Sequence, residues 1–409
     1  MPIRIAGAGC CLMDLLYPEV DFSSPAFRSA ASMREGDGGL APGRLVFARD
    51  AERFARKPFA QTLAELVGPG PDGSPRAPAA ENVGGPSVVS LVHAAQMLED
   101  EGIAVSYRGA TGDDAIGGRL RALLARTPLD ISGLETRPGR SPSTYVLSDP
   151  SWDSGRGERC FVNEVGAAEA YLPAELGEAL LGADIVALGG TALVPGLHDG
   201  LPGLLAEARR RGALAVVNTV FDFRAERRDG VGPWPLGGPA PSPGAGPGPA
   251  ASYRCCDLLV MDREEALRLT GARELTRSLR LLESSGVGAF AITRGGESVL
   301  AWAGRGRFGP MALREFPVSE RAGRRLSGGR RGDTTGCGDA FAGGVIAALG
   351  LQMKAGAGEL DLADAIAWGI AAGAFTLGIL GGTYYESRPG EKRELVSSYR
   401  EDWLAQPRS

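Results

Sequence analysis

Asp339 follows the run Gly336-Cys337-Gly338 and precedes an apolar, Ala- and Gly-rich stretch, within "GDTTGCGDAFAGG" at 332–344. That order of residue types suits one kind of chemistry. The apolar stretch predicts a helix starting near Asp339 or Ala340. The first N–H groups of a helix have no internal partner and sit at the positive end of its dipole. Glycines let a ligand come close to such backbone. The result is an anion hole suited to a phosphoryl group in transfer. A carboxylate at its mouth can hold an attacking hydroxyl in line and take its proton late, which a loose phosphoryl-transfer transition state requires. At a helix N-terminus Asp339 is expected to stay ionised and so to be a weak base. The competing reading is that Asp339 is simply an N-cap. Cys337, at the same helix start, reads as a small residue contributing its N–H, ahead of a reactive thiol.

Other phosphate and hydrolase signatures are missing from the sequence. It has no Gly-Lys pair and hence no Walker loop, and "GAGCCL" lacks the third glycine of a dinucleotide fingerprint. It has no GxSxG elbow and no HExxH. Six cysteines without a CxxC, and two histidines, His93 and His198, argue against zinc and for a reduced, cytoplasmic setting. A net charge of −5 without a Lys/Arg run argues against nucleic acid. The N-terminal "MPIRIAGAGCCLMDLL" reads as a buried strand and glycine turn ahead of a secretory leader. The longest uncharged stretch, 365–380, is shorter than the ~20 residues of a membrane span, so no membrane partner is expected.

The elements that must carry these residues alternate. "IRIAGAG", "AVSYRGATG", "ADIVALGG", "ALAVVNTVFDF" and "CDLLVMD" read as strands. "SVVSLVHAAQMLEDEG", "DDAIGGRLRALLART", "GLLAEARRRG" and "REEALRLTG" read as helices, and "GAFAITRGGESVLAW" as two strands around a turn. Alternation of this kind predicts an α/β fold with a parallel sheet covered on both faces, and ligands at the carboxyl ends of its strands. Two stretches break the pattern. Residues 21–81 are polar, Gly/Pro-rich and read as irregular, with a candidate strand at "RLVFARD". Residues 228–252 are nearly all Gly, Pro, Ala and Ser, and read as a flexible surface loop.

"DTTGCGDAFAGG" resembles the C-terminal signature of the ribokinase-like, or PfkB, family of carbohydrate kinases, with Cys337 in place of the usual Ala. The resemblance extends over most of the chain outside the two irregular stretches. It implies a single domain over 1–409, a three-layer α/β/α sandwich with a mostly parallel sheet. A small β lid would be built from about 15–81 and 140–165. It also implies ATP- and Mg²⁺-dependent phosphorylation of a polyol hydroxyl. Asp339 would be the base and Gly336, Cys337 and Gly338 the anion hole. Asp14, at the carboxyl end of the first strand, Gly84, Gly85, Asn163 and Glu164 would bind the substrate. Thr293, Gly295, Gly296, Asp333 and Thr334 would meet ATP, and Asp262 and Glu265 would organise Mg²⁺ through water. Asp333 would shape its loop or place the monovalent cation that some relatives use.

The family's usual Asn in the glycine motif is Val89 here, so a standard sugar pose is not implied. Two alternatives stay open: a nucleoside kinase of the same fold, and a non-catalytic binder that kept it. The long 21–81 insertion could enlarge the lid, form a homodimer contact or be a loose loop.

Overall fold

Fourteen strands appear among the described residues of the computed structural model, which omits 1, 35, 71, 156, 223, 226–232, 238–248, 305, 328–333 and 408–409. In chain order they are β1 Arg4–Gly9, β2 Leu12–Tyr17, β3 Leu45–Phe47, β4 Ala80–Gly84, β5 Ala104–Gly112, β6 Asp130–Arg137 and β7 Ser143–Asp149. They continue with β8 Glu158–Glu164, β9 Ile185–Gly189, β10 Leu214–Asn218, β11 Leu258–Asp262, β12 Ala289–Thr293, β13 Ser298–Ala303 and β14 Met311–Pro317.

The larger sheet has the order β14-β13-β12-β11-β10-β9-β1-β5-β6. All pairs from β12 to β6 are parallel, and β13 and β14 add an antiparallel edge. The inner parallel strands are short apolar runs because helices cover both faces, and only the edge strand β6 is polar and largely exposed. Ile5, Val105, Val216, Val260 and Ala291 point to one side, against the helices Pro86–Leu98, Cys337–Lys354, Leu362–Thr376 and Glu391–Leu404. Ala6, Val186, Val217, Leu259 and Ile292 point to the other, with Leu204, Leu205, Ala266, Leu269 and Leu282 of the covering helices. This is the three-layer sandwich the sequence predicts. Strand order reverses at β1, which lies between β9 and β5, so a crevice opens at the carboxyl ends of β1 and β9.

The chain leaves β1 through Cys10 and Cys11 and enters the second sheet, the lid, at β2. Its order is β3-β8-β7-β2-β4. The pairings place Asn82, Asp14, Thr144, Asn163 and Phe47 side by side across all five strands. Directly paired residues share a face, so this row is a polar stripe that ends in an aromatic ring. The opposite face carries Met13, Leu15, Tyr17, Val83, Leu147, Cys160 and Val162, all buried.

What buries that face corrects the reading of 21–81 as irregular. Within it lie three helices, Pro25–Ala30, Ala48–Ala55 and Phe59–Val67, as well as β3. Their Phe27, Ala30, Ala51, Phe59, Leu63 and Val67 join the lid's apolar side chains in one core. Phe59 meets the Tyr145 ring edge-on, with centroids 4.9 Å apart. Each helix is at most nine residues long and separated from the next by turns, so no run shows a long helical period. Burying a Phe or Leu contributes about 1.5–3 kcal/mol, which lets packing hold helices too short to persist alone.

The second irregular stretch is also partly ordered. Residues 228–232 and 238–248 of the expected flexible loop lie outside the described residues. Between them Trp234 and Leu236 are buried in the second core, where Trp234 meets Phe221 edge-on at 4.7 Å. Pro249–Arg254 closes the stretch as a helix.

Candidate active site

The helix carrying Asp339 runs Cys337–Lys354, beginning two residues before the expected start, and its N-cap is Gly336 at φ 75. Asp339 is therefore the third residue of the helix, and the plain N-cap reading fails. The first helical bond is Ala340 N–H to the Gly336 carbonyl, 2.8 Å. Cys337 N–H already donates to the Thr334 carbonyl at 3.2 Å. Of the expected trio Gly336, Cys337 and Gly338, the Cys337 amide is therefore taken, and the Gly338 and Asp339 amides lie ahead of the helical ladder. Open space lies in front of Gly338.

Gly336 has a steric reason to be glycine beyond its positive φ. A Cβ there would stand 2.3 Å from Gly382 Cα. The 381–382 backbone is thus a wall of the site.

Asp339 is half-buried and receives a hydrogen bond from Asn218 Nδ2 at 3.4 Å. Burial raises its pKa to about 6, opposed by the Asn218 bond. This corrects the expectation of a permanently ionised, weak base. Desolvation outweighs the helix terminus, which leaves a carboxylate able to take a proton near neutral pH.

Asp14 lies within the lid strand β2, on its inner face, and not in a turn after β1. A Cβ on Gly84 would fall 2.3 Å from Asp14 Oδ2, so the glycine makes room for the carboxylate. Gly85, at φ 104, caps the Pro86–Leu98 helix against the Cys10 carbonyl. Cys10 links the two halves of the site. Its buried thiol is pushed well up, first by burial and then by the charges of Cys11, Asp14 and Asp339. Both carboxylates therefore lie around one residue at the hinge of the lid.

Asn163 joins the inner row, buried and donating from Nδ2 to Thr144 Oγ1 at 2.9 Å. Glu164 does not. Its side chain points to the other face, where it pairs with Arg140 at 3.4 Å and accepts the Gly166 N–H. Val89 is fully buried beneath Gly382 and belongs to the core.

Asp262 and Thr293 end β11 and β12 in register. Asp262 caps the Arg263–Thr270 helix in a capping box: Oδ1 accepts from Glu265 N–H at 2.8 Å, and Glu265 Oε2 accepts from Asp262 N–H at 2.9 Å. Thr219 also donates to Glu265 Oε2, at 2.8 Å. Burial raises both carboxyl groups, and for Glu265 the charges of Asp262 and Asp339 add to it. Among the described residues no group of three or more His, Cys, Asp or Glu forms a metal cage. Two buried carboxyl groups with raised pKa values fit Mg²⁺, which takes one or two carboxylates and completes its shell with water and phosphate. Gly295 and Gly296 form an open turn after β12. Thr334 is exposed beside the anion hole, and Asp333 lies outside the described residues.

Three residues at this site escape sequence reasoning. Asn82 stands beside Asp14, with Nδ2 buried and unpartnered, 2.3 Å from where a Cβ on Gly381 would sit. Its signal was its position just ahead of the Gly84–Gly85 pair. Asn218 ends β10 at the sheet's carboxyl edge, a location that the strand "AVVN" makes visible. Arg159, on the inner face of β8, reaches across to the signature loop, donating to Thr335 Oγ1 at 2.6 Å and Thr334 Oγ1 at 3.3 Å. Nothing in the sequence links positions 175 residues apart.

Comparison with known proteins agrees with this architecture. Residues 238–387 match the model of the pfkB family carbohydrate kinases. No curated protein sequence matches the chain. Among solved structures, adenosine kinase from Schistosoma mansoni in complex with 2-fluoroadenosine superposes with a TM-score of 0.65 at 15% identity, over 93% of this chain and 97% of that one. Ribokinase from Thermotoga maritima gives 0.59 at 16% identity, over 98% and 99%. A putative ribokinase II from E. coli in complex with ATP and Mg²⁺ gives 0.60 at 15% identity, over 98% and 99%. The chain has the ribokinase-like fold, and its residues 238–387 are similar to the pfkB family of carbohydrate kinases.

Proposed function

We propose that the protein is an ATP- and Mg²⁺-dependent kinase that transfers the γ-phosphoryl group to a hydroxyl of a sugar or sugar-like alcohol. The observation that carries this reading is Asp339, a desolvated carboxyl group bonded by Asn218 in the first turn of a helix whose Gly338 and Asp339 amides lie ahead of the helical ladder.

Asp14 and Asn82 accept and donate hydrogen bonds to acceptor hydroxyls, with Asn163 further along the row. Asp339, half ionised near pH 6, orients the reacting hydroxyl and takes its proton. The Gly338 and Asp339 amides offset charge on the transferring phosphoryl group. Arg159 brings a guanidinium from the lid to the same loop, so a closed lid adds a positive charge where negative charge collects. Thr293 and the Gly295–Gly296 turn line the approach for the ATP phosphates. Asp262 and Glu265 would hold Mg²⁺ through water, and the ion would neutralise phosphate charge. The neighbour solved with ATP and Mg²⁺ supports the use of both ligands.

A nucleoside as acceptor is the second reading. Phe161 and Phe47 lie on the inner face of the lid beside the polar row, and could carry a flat base. The non-catalytic reading is disfavoured, because a simple binder has no use for a carboxyl group held near pH 6 in front of unpaired amides.

The test is a panel of sugars, polyols and nucleosides with ATP and Mg²⁺, read by ADP release. Acceptor-dependent turnover is expected for at least one of them, and Asp339→Asn is expected to lower it at least 100-fold while ATP still binds. Turnover by Asp339→Asn near the wild-type rate would sink the assignment.

A further inference from the structure

Behind the site lies a buried polar chain that the proposed chemistry does not use. It starts at Lys392, in the first turn of the Glu391–Leu404 helix, whose side chain is fully buried. Lys392 Nζ donates to Gln96 Oε1 at 2.7 Å. The Tyr384 carbonyl on the far side of Gln96 can only accept, so the Gln96 amide is locked with its oxygen towards Lys392. Its nitrogen then faces the other way and donates to the Tyr384 carbonyl, 2.7 Å. One turn earlier on the same helix, His93 Nε2 lies 3.0 Å from the Gly382 carbonyl. A carbonyl needs a donor, so His93 carries its proton on Nε2. Burial, and then the charge of Lys392, holds the ring well below its ordinary pKa and keeps it neutral.

Val89, His93 and Gln96 recur at helical spacing and form one stripe on the Pro86–Leu98 helix. Segment 381–384 is seated along that stripe, with Gly382 over Val89 and His93 and Tyr384 over Gln96. On one side the segment touches the catalytic helix: a Cβ on Gly336 would be 2.3 Å from Gly382 Cα. On the other it touches the lid: a Cβ on Gly381 would be 2.3 Å from Asn82 Nδ2. The segment is therefore a wedge between the N-cap of the Cys337 helix and the substrate-facing row.

We propose that His93, Gln96 and Lys392 are positioning residues: by holding the backbone at Gly382 and Tyr384 they fix the wedge, and through it the direction of the Gly338 and Asp339 amides. This rests on the kinase reading. The energetic logic is that the anion hole acts only through orientation. Gly336 has no side chain to anchor it, and its helix N-terminus has no side-chain cap. Backbone contact with Gly382 stands in for a cap, and Gly382 is in turn held by His93. The same logic gives Val89 a purpose, since an apolar side chain seats a glycine backbone without competing for its carbonyl.

The test compares His93→Leu, which removes the donor, with His93→Gln, which keeps a donor near the Nε2 position. Lys392→Met is the second variant, should His93→Leu fail to fold. His93→Leu and Lys392→Met are expected to lower kcat about 10- to 100-fold, because small misplacement of catalytic groups is that costly. KM for ATP and acceptor should stay within about twofold. His93→Gln should recover most of kcat. Amide hydrogen exchange in peptides spanning 380–386 should speed up in His93→Leu and return to wild-type rates in His93→Gln. Wild-type kcat in both His93→Leu and Lys392→Met, equal loss in His93→Leu and His93→Gln, or unchanged exchange at 380–386 in His93→Leu would overturn the inference. Failure of the wild type to phosphorylate any acceptor would instead remove the kinase reading. The exchange comparison would still decide whether these residues hold the wedge.

Discussion

Asp339 carries the most weight of any single residue, and its environment has two measurable consequences. Its pKa is raised to about 6 by burial, and the base must be ionised to accept a proton. The kcat/KM profile, which reports the free enzyme, is therefore expected to fall as pH drops through about 6. A flat profile between pH 5 and 7 would contradict this. The linkage sign runs the other way for stability. A carboxyl whose folded pKa is raised adds stability below its ordinary pKa of about 3.8 and loses it as pH rises through about 6. Asp339→Asn should then melt at a higher temperature than wild type at pH 7.5 while losing turnover, measured by calorimetry on the two proteins. Arg159 makes a separate prediction. Arg159→Met keeps the apolar stem beside Phe161, over whose ring the guanidinium lies at 5.5 Å, and removes only the charge. It should lower kcat by about 10²–10³, as does loss of one charge-stabilising donor.

Most of the residues that reach the site could be read from the sequence as a set, because GDTTGCGDAFAGG, Asp14 and Gly84–Gly85 are local patterns. What could not be read was their environment. Asp339's raised pKa comes from burial contributed by other segments. Glu164 and Asn163 are neighbours in sequence, and only strand pairing tells which of them faces inward. Arg159 and Asn82 act through contacts with loops far away in the chain.

At the scale of elements, the lid shows where local pattern fails and packing decides. The inner strands of the main sheet were legible because they are short apolar runs set between helices with clear stops, such as Gly102 and Gly271 in the left-handed region, whereas the largely exposed edge strands β6 and β14 carry no such run. The three helices within 21–81 have no such clarity, and they exist because the outer face of the lid must be covered. Phe59→Ala should therefore cost about 3–5 kcal/mol of stability, measured by denaturant unfolding. A change below about 1 kcal/mol would mean that the Phe59–Val67 helix does not cap the lid. Asp262 shows a related overlap of roles. It caps a helix through one oxygen, and the sequence pattern for a cap and for a metal-organising pair is the same acidic first turn.

For the whole molecule, the covered lid changes the expected assembly. A homodimer formed on the outer face of the lid sheet would need that face open to a second copy, and here it is filled by the chain's own Phe27, Phe59, Leu63 and Val67. A monomer in sedimentation experiments is the expected result, and a dimer that dissociates on mutating lid-sheet residues would contradict it. Among the described residues no helix is long and apolar enough to cross a membrane. The nine-stranded sheet places Asn218, Asp262 and Thr293 at its carboxyl edge on one side of β1, and the lid brings Asp14 and Arg159 over it from the other.

The proposed reaction requires that these two halves meet to move a phosphoryl group, and that Asp339 takes the proton. The most direct measurement is acceptor-dependent ADP release by wild type and Asp339→Asn across the sugar and nucleoside panel, with ATP binding followed in parallel. The expected result is turnover on at least one acceptor in wild type, a loss of at least 100-fold in Asp339→Asn, and ATP affinity within about threefold in both. Equal turnover by the two proteins, or ATP bound and never transferred by the wild type, would contradict it.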